Sequence, residues 1–308
     1  MFKMILLWLG TFLWGLSNMI LRPKRLSSGM VYKMAVRDGK LNEERYKKIK
    51  KKQFMVLSDY GYKLSCELLI PAYWNNKNIA ILCHGFSQCK YKSLIYAEIF
   101  IKMGFAVLIY DHRNHGLSGK AYTSMGYYEK YDLKKLVDWC LKAYGSDCKI
   151  ITHGESMGAT TVLLHLGIDD RVICTIADCA YSDLKELLIH QLKSYYHLPK
   201  LLIPIESFIT YLRAGFRYED VSCESVIRKV KTPVLFIHGK KDSYVPAIMS
   251  KKMYKSKERN KALYLVAGAG HGKSCIVNPK GYEEKVEKFV KKYIDQNYIS
   301  EKASSLCI

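Results

Sequence analysis

The segment 152–158 reads Thr-His-Gly-Glu-Ser-Met-Gly and places Ser156 between Gly154 and Gly158. An apolar run at 149–151 precedes it, and a run compatible with a helix follows at 159–167. In a strand–turn–helix context, the pattern Gly-x-Ser-x-Gly forms a nucleophile elbow, a tight turn that holds the serine in a strained, exposed conformation. The two glycines let the strand and the helix approach without a Cβ clash. Because the pattern is short, its meaning depends on whether the chain also supplies a base, an acid and an oxyanion hole.

A serine hydroxyl becomes a good nucleophile only when an imidazole takes its proton and an acid orients that imidazole. Asp242 follows the apolar run 233–237, and His271 lies in a glycine-rich loop after the run 262–266. In a parallel α/β sheet the partners follow in the order Ser, Asp, His, at the carboxyl ends of strands. We therefore predict that Ser156 is the nucleophile, His271 the base and Asp242 the orienting acid.

Other residues at strand ends offer alternatives. Asp178 is a second candidate for the acid, and its structural alternative is to anchor the turn at Tyr181. His84, His153 and His238 each precede a glycine, and we interpret them as hydrogen-bonded structural histidines. His84 would then orient the loop that carries the oxyanion hole.

The segment 111–116, Asp-His-Arg-Asn-His-Gly, contains side chains that could bind a metal. Arg113 in its centre argues against a cation, so a hydrogen-bonded loop is the better interpretation. The predicted chemistry needs neither a metal nor an organic cofactor.

An oxyanion that develops during acyl transfer needs two fixed donors. Met157 follows the nucleophile and offers a backbone N–H at the start of a helix, where the helix dipole also helps. The second N–H is expected from the loop after the apolar run 78–83, most simply from Phe86.

Strand-like and helix-like segments alternate along most of the chain. This alternation predicts an α/β fold, a doubly wound and mostly parallel sheet with helices on both faces. The predicted strands are 53–58, 63–70, 78–83, 105–110, 149–152, 172–177, 233–237 and 262–266. The predicted helices outside the interruption described next are 91–103, 129–144, 159–167, 248–257 and 281–297.

The alternation stops between residues 181 and 231. Two helical segments there, 184–196 and 201–212, are rich in Leu, Ile, Tyr and Phe. An insertion after the nucleophile often covers the site, so we predict a small helical lid. An ordinary pair of packing helices is the alternative.

Residues 4–21 form an apolar run without formal charge, with Lys3 before it. Eighteen residues at about 1.5 Å each give roughly 27 Å, just enough to cross a bilayer core. We predict a transmembrane anchor at 1–21, and a cleaved signal peptide is the alternative.

The following segment, 22–52, carries a net charge of +9 within a total of +21. Positive charge on this flank predicts that the catalytic domain is cytoplasmic and that the protein is a single-pass protein of the cell membrane. The segment would also attract an anionic membrane surface. A solvated lysine-rich helix is the alternative interpretation.

The 308 residues and the 49% hydrophobic content indicate a globular protein with a sizeable core. The sequence has no zinc-finger spacing, no RNA-binding signature and no P-loop, so nucleic acid is not an expected partner. Several of the ten cysteines lie in apolar runs and none forms a Cys-x-x-Cys pair. We interpret them as buried thiols, which favours a reducing compartment.

Taken together, these motifs resemble those of α/β-hydrolase serine enzymes over residues 53–297. The chain looks most like N-terminally anchored α/β-hydrolases of low-GC Gram-positive bacteria, which also carry a basic segment after the anchor. It is more distantly similar to monoacylglycerol lipases and to serine peptidases of the prolyl-oligopeptidase and aminopeptidase types. Many of these relatives have His at the variable elbow position, where this chain has Glu155. The motifs are His84-Gly85-Phe86, 111–116, 154–158, Asp242 and Gly270-His271.

We predict a hydrolase domain at 53–298 with its lid at 181–231, and a tail at 299–308. The predicted activity is cleavage of a carboxylic ester or thioester with an apolar acyl part, in a small-molecule or lipid-like acyl substrate. A serine exopeptidase is an alternative, and it would need an acidic side chain near the lid, for which Glu155, Glu186 and Glu206 are available. A membrane-tethered binding protein without catalytic activity is a third possibility.

Overall fold

The computed structural model describes residues 2–38 and 41–305, with side chains for 10–38 and 41–295. The strands form one sheet in the order β1-β2-β4-β3-β5-β6-β7-β8. β2 pairs antiparallel with β1 and β4, and every other pairing is parallel, which confirms the predicted fold class. The strands are β1 (Lys50–Leu57), β2 (Lys63–Ile70), β3 (Asn78–Cys83), β4 (Ala106–Tyr110), β5 (Lys149–Glu155), β6 (Val172–Asp178), β7 (Val234–Gly239) and β8 (Lys261–Val266).

The central strands are buried on both faces, which explains why they read as continuous apolar runs. Along β3, Ile79 and Ile81 contribute to one core layer, whereas Ala80 and Leu82 contribute to the other. Successive side chains of a strand point to opposite faces, so helices must cover both sides of the sheet.

The helices lie before, between and after these strands. Most of the predicted helices appear within two or three residues of their expected ends. The observed α-helices of the described residues are α1 (Phe2–Leu21), α2 (Ser28–Arg37), α3 (Glu43–Lys48), α4 (Leu94–Lys102), α5 (Glu129–Tyr144), α6 (Met157–His165), α7 (Leu184–Gln191), α8 (Leu202–Ala214), α9 (Cys223–Ile227), α10 (Ile248–Ser256), α11 (Ser274–Val277) and α12 (Pro279–Ser305). Residues 306–308 of the predicted tail lie outside the described residues.

The basic segment 22–52 packs on the hydrolase domain. Val31 is buried, the Leu26 N–H donates to the Ser87 carbonyl over 3.3 Å, and the Tyr46 hydroxyl donates to Glu67 over 2.5 Å. Strand β1 begins at Lys50, so the domain boundary predicted at 53 lies inside a strand. An edge strand can carry lysines because its outward side chains reach solvent.

Helix α1 packs against α8. Leu13, Ser17 and Leu21 are all buried, at intervals of four residues that place them on one helix face. Within the described part of the chain, no helix combines the length and the apolarity that a bilayer crossing requires. The transmembrane anchor at 1–21 stays a prediction, and Met1 and the side chains of 2–9 lie outside the described residues.

The segment 181–231 leaves the sheet after β6 and returns at β7. The predicted helix 184–196 is divided, because α7 ends at Gln191 and a π-helical turn, Leu192–Tyr196, follows it. His197 then adopts a left-handed backbone conformation with a φ of 53°, which stops the helix and lets the chain turn into α8.

Candidate active site

The turn between β5 and α6 holds Ser156 in a conformation that few residues adopt. Its φ is 57° and its ψ is −117°, and its N–H donates to the Asp178 carbonyl over 2.8 Å. A Cβ on Gly154 would lie 2.2 Å from the Gly158 carbonyl oxygen, and a Cβ on Gly158 would lie 2.1 Å from the Cys83 carbonyl oxygen. Both glycines are therefore required by close backbone contacts, as the sequence pattern predicts.

His271 lies in the loop after β8 and contacts both of its expected partners. Its Nε2 is 2.9 Å from the Ser156 Oγ, and its Nδ1 is 2.8 Å from the Asp242 Oδ2. Gly272, with a φ of 61°, allows the sharp bend of this loop. The structure thus brings together the three side chains that the sequence nominated for catalysis.

Asp242 is a buried acceptor that stays ionised. Burial alone would raise the pKa of its carboxyl, but hydrogen bonds from His238, His271 and the Val245 N–H lower that pKa to about 2. The Tyr244 N–H also donates to Oδ1 over 3.0 Å. An ionised carboxylate can only accept, so Nδ1 of neutral His271 carries the proton and its Nε2 can accept the proton of Ser156.

Asp178 has a different partner. Its Oδ1 accepts a hydrogen bond from the Ser274 hydroxyl over 3.0 Å, and burial next to Glu155 raises the pKa of its carboxyl to about 7. The Tyr181 hydroxyl donates to the Met125 carbonyl over 2.6 Å. The structure therefore places Asp242, and not Asp178, against the imidazole.

The two residues nominated for the oxyanion hole flank Ser156. Met157 is the first residue of α6, and the first N–H groups of a helix have no acceptor within it. Phe86 follows β3 and lines the same cavity as Ser156. The loop passes close to the serine, because a Cβ on Gly85 would lie 3.5 Å from the Ser156 Cβ.

His84 fixes this loop to its neighbour. Its Nδ1 bonds the Gly85 carbonyl over 2.7 Å, and its Nε2 accepts the His112 N–H over 3.0 Å. Burial, followed by the proximity of His112 and His115, lowers the pKa of His84 well below its ordinary value. His84 is therefore a neutral residue that joins two loops, which agrees with the structural role expected for it.

The other histidines at strand ends also have hydrogen-bond partners. The Nε2 of His153 lies 2.8 Å from the Tyr282 hydroxyl, and burial lowers the pKa of this imidazole to about 3. The Nδ1 of His238 lies 2.7 Å from the Ser250 hydroxyl. Both are structural side chains.

The segment 111–116 is a hydrogen-bonded loop. Asp111 accepts the backbone N–H groups of Lys90 over 2.7 Å and Leu117 over 3.0 Å. The guanidinium of Arg113 lies 4.7 Å from the centroid of the Tyr128 ring, a favourable cation–π distance. These contacts engage Asp111 and Arg113 within the protein.

Among the described residues, one group of possible metal ligands shares two members with the triad; its ligand atoms, from Cys179, Asp242 and His271, lie within 4.8 Å of one another. Burial raises the pKa of the Cys179 thiol well above its ordinary value, and a protonated thiol is a poor ligand. The cysteines of the described residues are free and buried, as interpreted from the sequence; they are Cys66, Cys83, Cys89, Cys140, Cys148, Cys174, Cys179, Cys223 and Cys275.

A largely apolar cavity leads to Ser156, which is only 8% exposed. The sequence pattern suggested an exposed serine, but side chains of α1 and of the segment 181–231 line the cavity that contains it. The lining residues are Leu16, Met19, Ile20, Phe86, Met125, Tyr181, Leu187, Leu188, Gln191, Leu192, Tyr196, Leu202, Ile203, Glu206, Tyr218, Tyr244 and Val245.

The contribution of α1 to this wall was not expected from the sequence. Arg213 of α8 donates hydrogen bonds to the Ser17 hydroxyl and to the Asn18 Oδ1, the latter over 2.6 Å. Its guanidinium also lies 3.6 Å from the centroid of the Trp14 ring. The sequence signal that could have indicated this packing is the pair Ser17 and Asn18, two polar residues near the end of an apolar run.

The three carboxylates considered as amine ligands have different surroundings. Glu155 accepts a hydrogen bond from the Tyr96 hydroxyl, and exposed Glu186 pairs with Lys252 over 2.7 Å. Glu206 lines the cavity, is 4% exposed, and neither of its oxygens has a hydrogen-bond partner among the described residues.

Two family models match parts of the chain. The family described as "Serine aminopeptidase, S33" matches residues 75–182, which include the elbow. The family described as "Serine hydrolase (FSH1)" matches residues 174–272, which include Asp242 and His271. Each model covers less than half of the chain, and the matches together span all three triad positions.

Similar proteins include the uncharacterized protein YqkD of Bacillus subtilis, which is 38% identical over 277 residues, 89% of this chain and 90% of YqkD. Among solved structures, the esterase Pf2001 of Pyrococcus furiosus is similar with a TM-score of 0.66 and 24% identity, over 81% of this chain and 95% of that one. Est1E of Butyrivibrio proteoclasticus, solved with ferulic acid, is similar with a TM-score of 0.65 and 22% identity, over 79% and 99%. The two structural similarities concern the fold.

Proposed function

The chain belongs to the α/β-hydrolase family of serine hydrolases, and we propose that it cleaves a carboxylic ester or thioester through an acyl-enzyme on Ser156. One observation carries this proposal. A continuous chain of hydrogen bonds runs from the Ser156 hydroxyl through His271 to the ionised Asp242. This arrangement can remove the hydroxyl proton as the oxygen attacks a carbonyl.

In the proposed reaction, the Ser156 Oγ attacks the carbonyl carbon while Nε2 of His271 takes its proton. Asp242 stabilises the imidazolium and keeps its orientation. The tetrahedral intermediate collapses, the ester or thioester bond breaks, and the leaving group receives the proton from His271. Water then attacks the acyl-enzyme with His271 again as base, and the acid product leaves.

The N–H groups of Phe86 and Met157 would hold the oxyanion of both tetrahedral intermediates. Each donor of this kind typically contributes about 3 kcal/mol to transition-state stabilisation. Ser156 directly precedes α6 and lies beside the loop that carries Phe86. Its position therefore favours the two N–H groups as donors to the oxyanion.

An apolar acyl group suits the cavity, because most of the wall consists of aliphatic and aromatic side chains. The test is a series of p-nitrophenyl esters from acetyl to decanoyl, with the matching thioesters. We expect kcat/KM to rise with chain length up to about octanoyl, and equal or slower turnover of octanoyl than acetyl esters would contradict this preference. The variant Leu188→Trp, which fills the cavity, should penalise the long esters, whereas the exposed Leu117→Trp should not.

We also propose that the protein binds an anionic membrane surface. The basic segment 22–52 supports this, since each lysine or arginine near such a surface adds about 1 kcal/mol of attraction. Helices α1 and α8 also expose large apolar side chains, among them Trp14, Phe208 and Leu212. Flotation with vesicles that contain phosphatidylglycerol tests this: we expect co-flotation that weakens with salt, and equal binding to neutral vesicles would contradict it.

A further inference from the structure

Glu206 is a buried carboxylate without a partner, and it lines the same cavity as Ser156. It lies on α8 in the lid, is 4% exposed, and neither Oε1 nor Oε2 accepts a hydrogen bond from the described residues. A buried polar group without a partner costs free energy, and a buried charge costs more. Such a group in the cavity that also contains Ser156 suggests that a substrate supplies the missing donor.

The neighbouring polar groups of the described residues form their hydrogen bonds with residues other than Glu206. The guanidinium of Arg213, on the same helix, donates to Ser17 and Asn18 of α1. The hydroxyl of Tyr218 accepts a hydrogen bond from Thr210 over 3.1 Å. The amide of Gln191 donates to the Tyr244 carbonyl over 3.4 Å. None of these groups donates a hydrogen bond to the Glu206 carboxyl, although the charge of Arg213 acts on it.

We propose that Glu206 binds a hydroxyl group on the apolar part of the substrate, so that the enzyme prefers hydroxylated acyl esters or thioesters. The proposal rests on the proposed function of Ser156. It adds a specificity-determining residue to that site and a chemical class to its substrate. The hydroxyl donates to a carboxyl oxygen, while the hydrocarbon chain contacts the apolar wall.

A neutral hydroxyl fits this position better than an ammonium group. The positive charge of Arg213 already acts on the Glu206 carboxyl and would repel a second cation. An apolar wall also makes the desolvation of an ammonium group far more costly than that of a hydroxyl.

Glu206 can bond a hydroxyl in either protonation state. Burial raises the pKa of its carboxyl to about 7, although Arg213 lowers it in part. The ionised form accepts through both oxygens, and the protonated form still accepts through one and can donate through the other. An ammonium ligand would need the ionised form.

The test compares p-nitrophenyl octanoate with octanoates that carry one hydroxyl at successive carbons, and with the corresponding amino-octanoates. For the native enzyme, at least one hydroxy-octanoate should have a higher kcat/KM than octanoate, by roughly 10- to 100-fold. Glu206→Leu should abolish that preference, measured as the ratio of kcat/KM for the hydroxylated octanoate to kcat/KM for plain octanoate. Glu206→Gln keeps an acceptor oxygen and should retain part of the preference.

The matched control is Glu186→Leu, which removes an exposed lid carboxylate paired with Lys252 outside the cavity. It should leave the hydroxyl preference unchanged. The proposal is overturned if Glu206→Leu changes hydroxylated and plain esters by the same factor. It is equally overturned if an amino-octanoate is the preferred substrate and loses its advantage in Glu206→Gln.

Labelling by a fluorophosphonate separates this proposal from the proposed function. If native protein and Glu206→Leu are both labelled at Ser156 without any hydroxyl preference, only the role of Glu206 fails. If the native protein is not labelled, the serine hydrolase function itself fails. The labelling of Glu206→Leu also shows that its site has folded.

Discussion

The Ser156 hydroxyl lies 2.9 Å from Nε2 of His271, although 115 positions separate the two residues. The other ring nitrogen donates to Asp242, whose pKa is held at about 2 by its hydrogen bonds in spite of burial. The imidazole is therefore fixed in the tautomer that accepts from serine. Nothing in the site must rearrange before the proton can move.

Asp242→Asn should lower kcat by about 10³- to 10⁴-fold on any ester that the native enzyme cleaves. The amide can present a donor to Nδ1, which would favour the wrong imidazole tautomer. Steady-state kinetics with one chromogenic ester measures the effect. A loss smaller than tenfold would contradict the role of Asp242.

Asp178→Asn is the matched comparison, because Asp178 is the other acid at a strand end near the site. Its carboxyl accepts from Ser274 and does not contact His271. An asparagine oxygen can keep that hydrogen bond, so kcat should stay within a few-fold of native in the same assay. A loss as large as that of Asp242→Asn would reverse the assignment of the acid.

Gly158→Ala should destabilise the protein by several kcal/mol, since the new Cβ would lie 2.1 Å from the backbone oxygen of Cys83. Gly29→Ala in α2 is the control, because a Cβ there has no atom within 4 Å. It should be neutral or stabilising by up to about 1 kcal/mol. Urea denaturation measures both free energies of unfolding, and equal values would argue against the close contact at the elbow.

Arg213→Ala should loosen α1 from the lid, because it removes the hydrogen bonds to Ser17 and Asn18 and the contact with Trp14. Hydrogen exchange of the amides of residues 10–21 should accelerate, and KM for long esters should rise. Arg217→Ala is the control, because it removes an exposed guanidinium that lies over the Phe208 and Tyr211 rings of α8. Unchanged exchange in Arg213→Ala would mean that other contacts hold α1.

The Asp178 carboxyl should contribute stability that is lost as pH rises from about 4 to about 7, whereas the buried histidines, whose pKa values are lowered, contribute in the opposite direction. Burial raises the pKa of Asp178 to about 7, so the unfolded chain releases this proton at a lower pH than the folded protein does. Glu206, whose pKa burial also raises to about 7, acts in the same direction.

Between about pH 4 and pH 7, Asp178→Asn should make the slope of the free energy of unfolding against pH more positive by up to about 1.4 kcal/mol per pH unit. Asp170→Asn, at an exposed position, should leave the slope as it is. Urea denaturation at a series of pH values checks both variants. An unaltered slope in Asp178→Asn would show that this carboxyl titrates normally in the folded protein.

The sheet was predictable because β3, β4 and β5 are short apolar runs with helices between them, and such runs are typical of strands covered on both faces. The elbow was predictable for a related reason, since only glycine fits where backbone atoms meet at Gly154 and Gly158. The proximity of Ser156, Asp242 and His271 follows from the topology, which gathers the carboxyl ends of parallel strands at one edge.

The wall formed by α1 could not be predicted in the same way. A run of apolar residues is compatible with a bilayer and with a protein surface, and the partner of α1, Arg213, lies 195 positions along the chain from Asn18. The start of β1 at Lys50 could not be predicted, because its first three residues are lysines and show no apolar pattern. An edge strand is held by backbone pairing more than by apolar side chains. The unpartnered state of Glu206 is a tertiary property that no local pattern encodes.

The most direct measurement is labelling of the native protein with a fluorophosphonate, followed by mass spectrometry of the modified peptide. We expect one label, on Ser156, and none in Ser156→Ala or after heat denaturation. His271→Ala should slow labelling by orders of magnitude while the protein remains folded. A native protein that is not labelled, or that is labelled equally well without His271, would contradict the nucleophile assigned here.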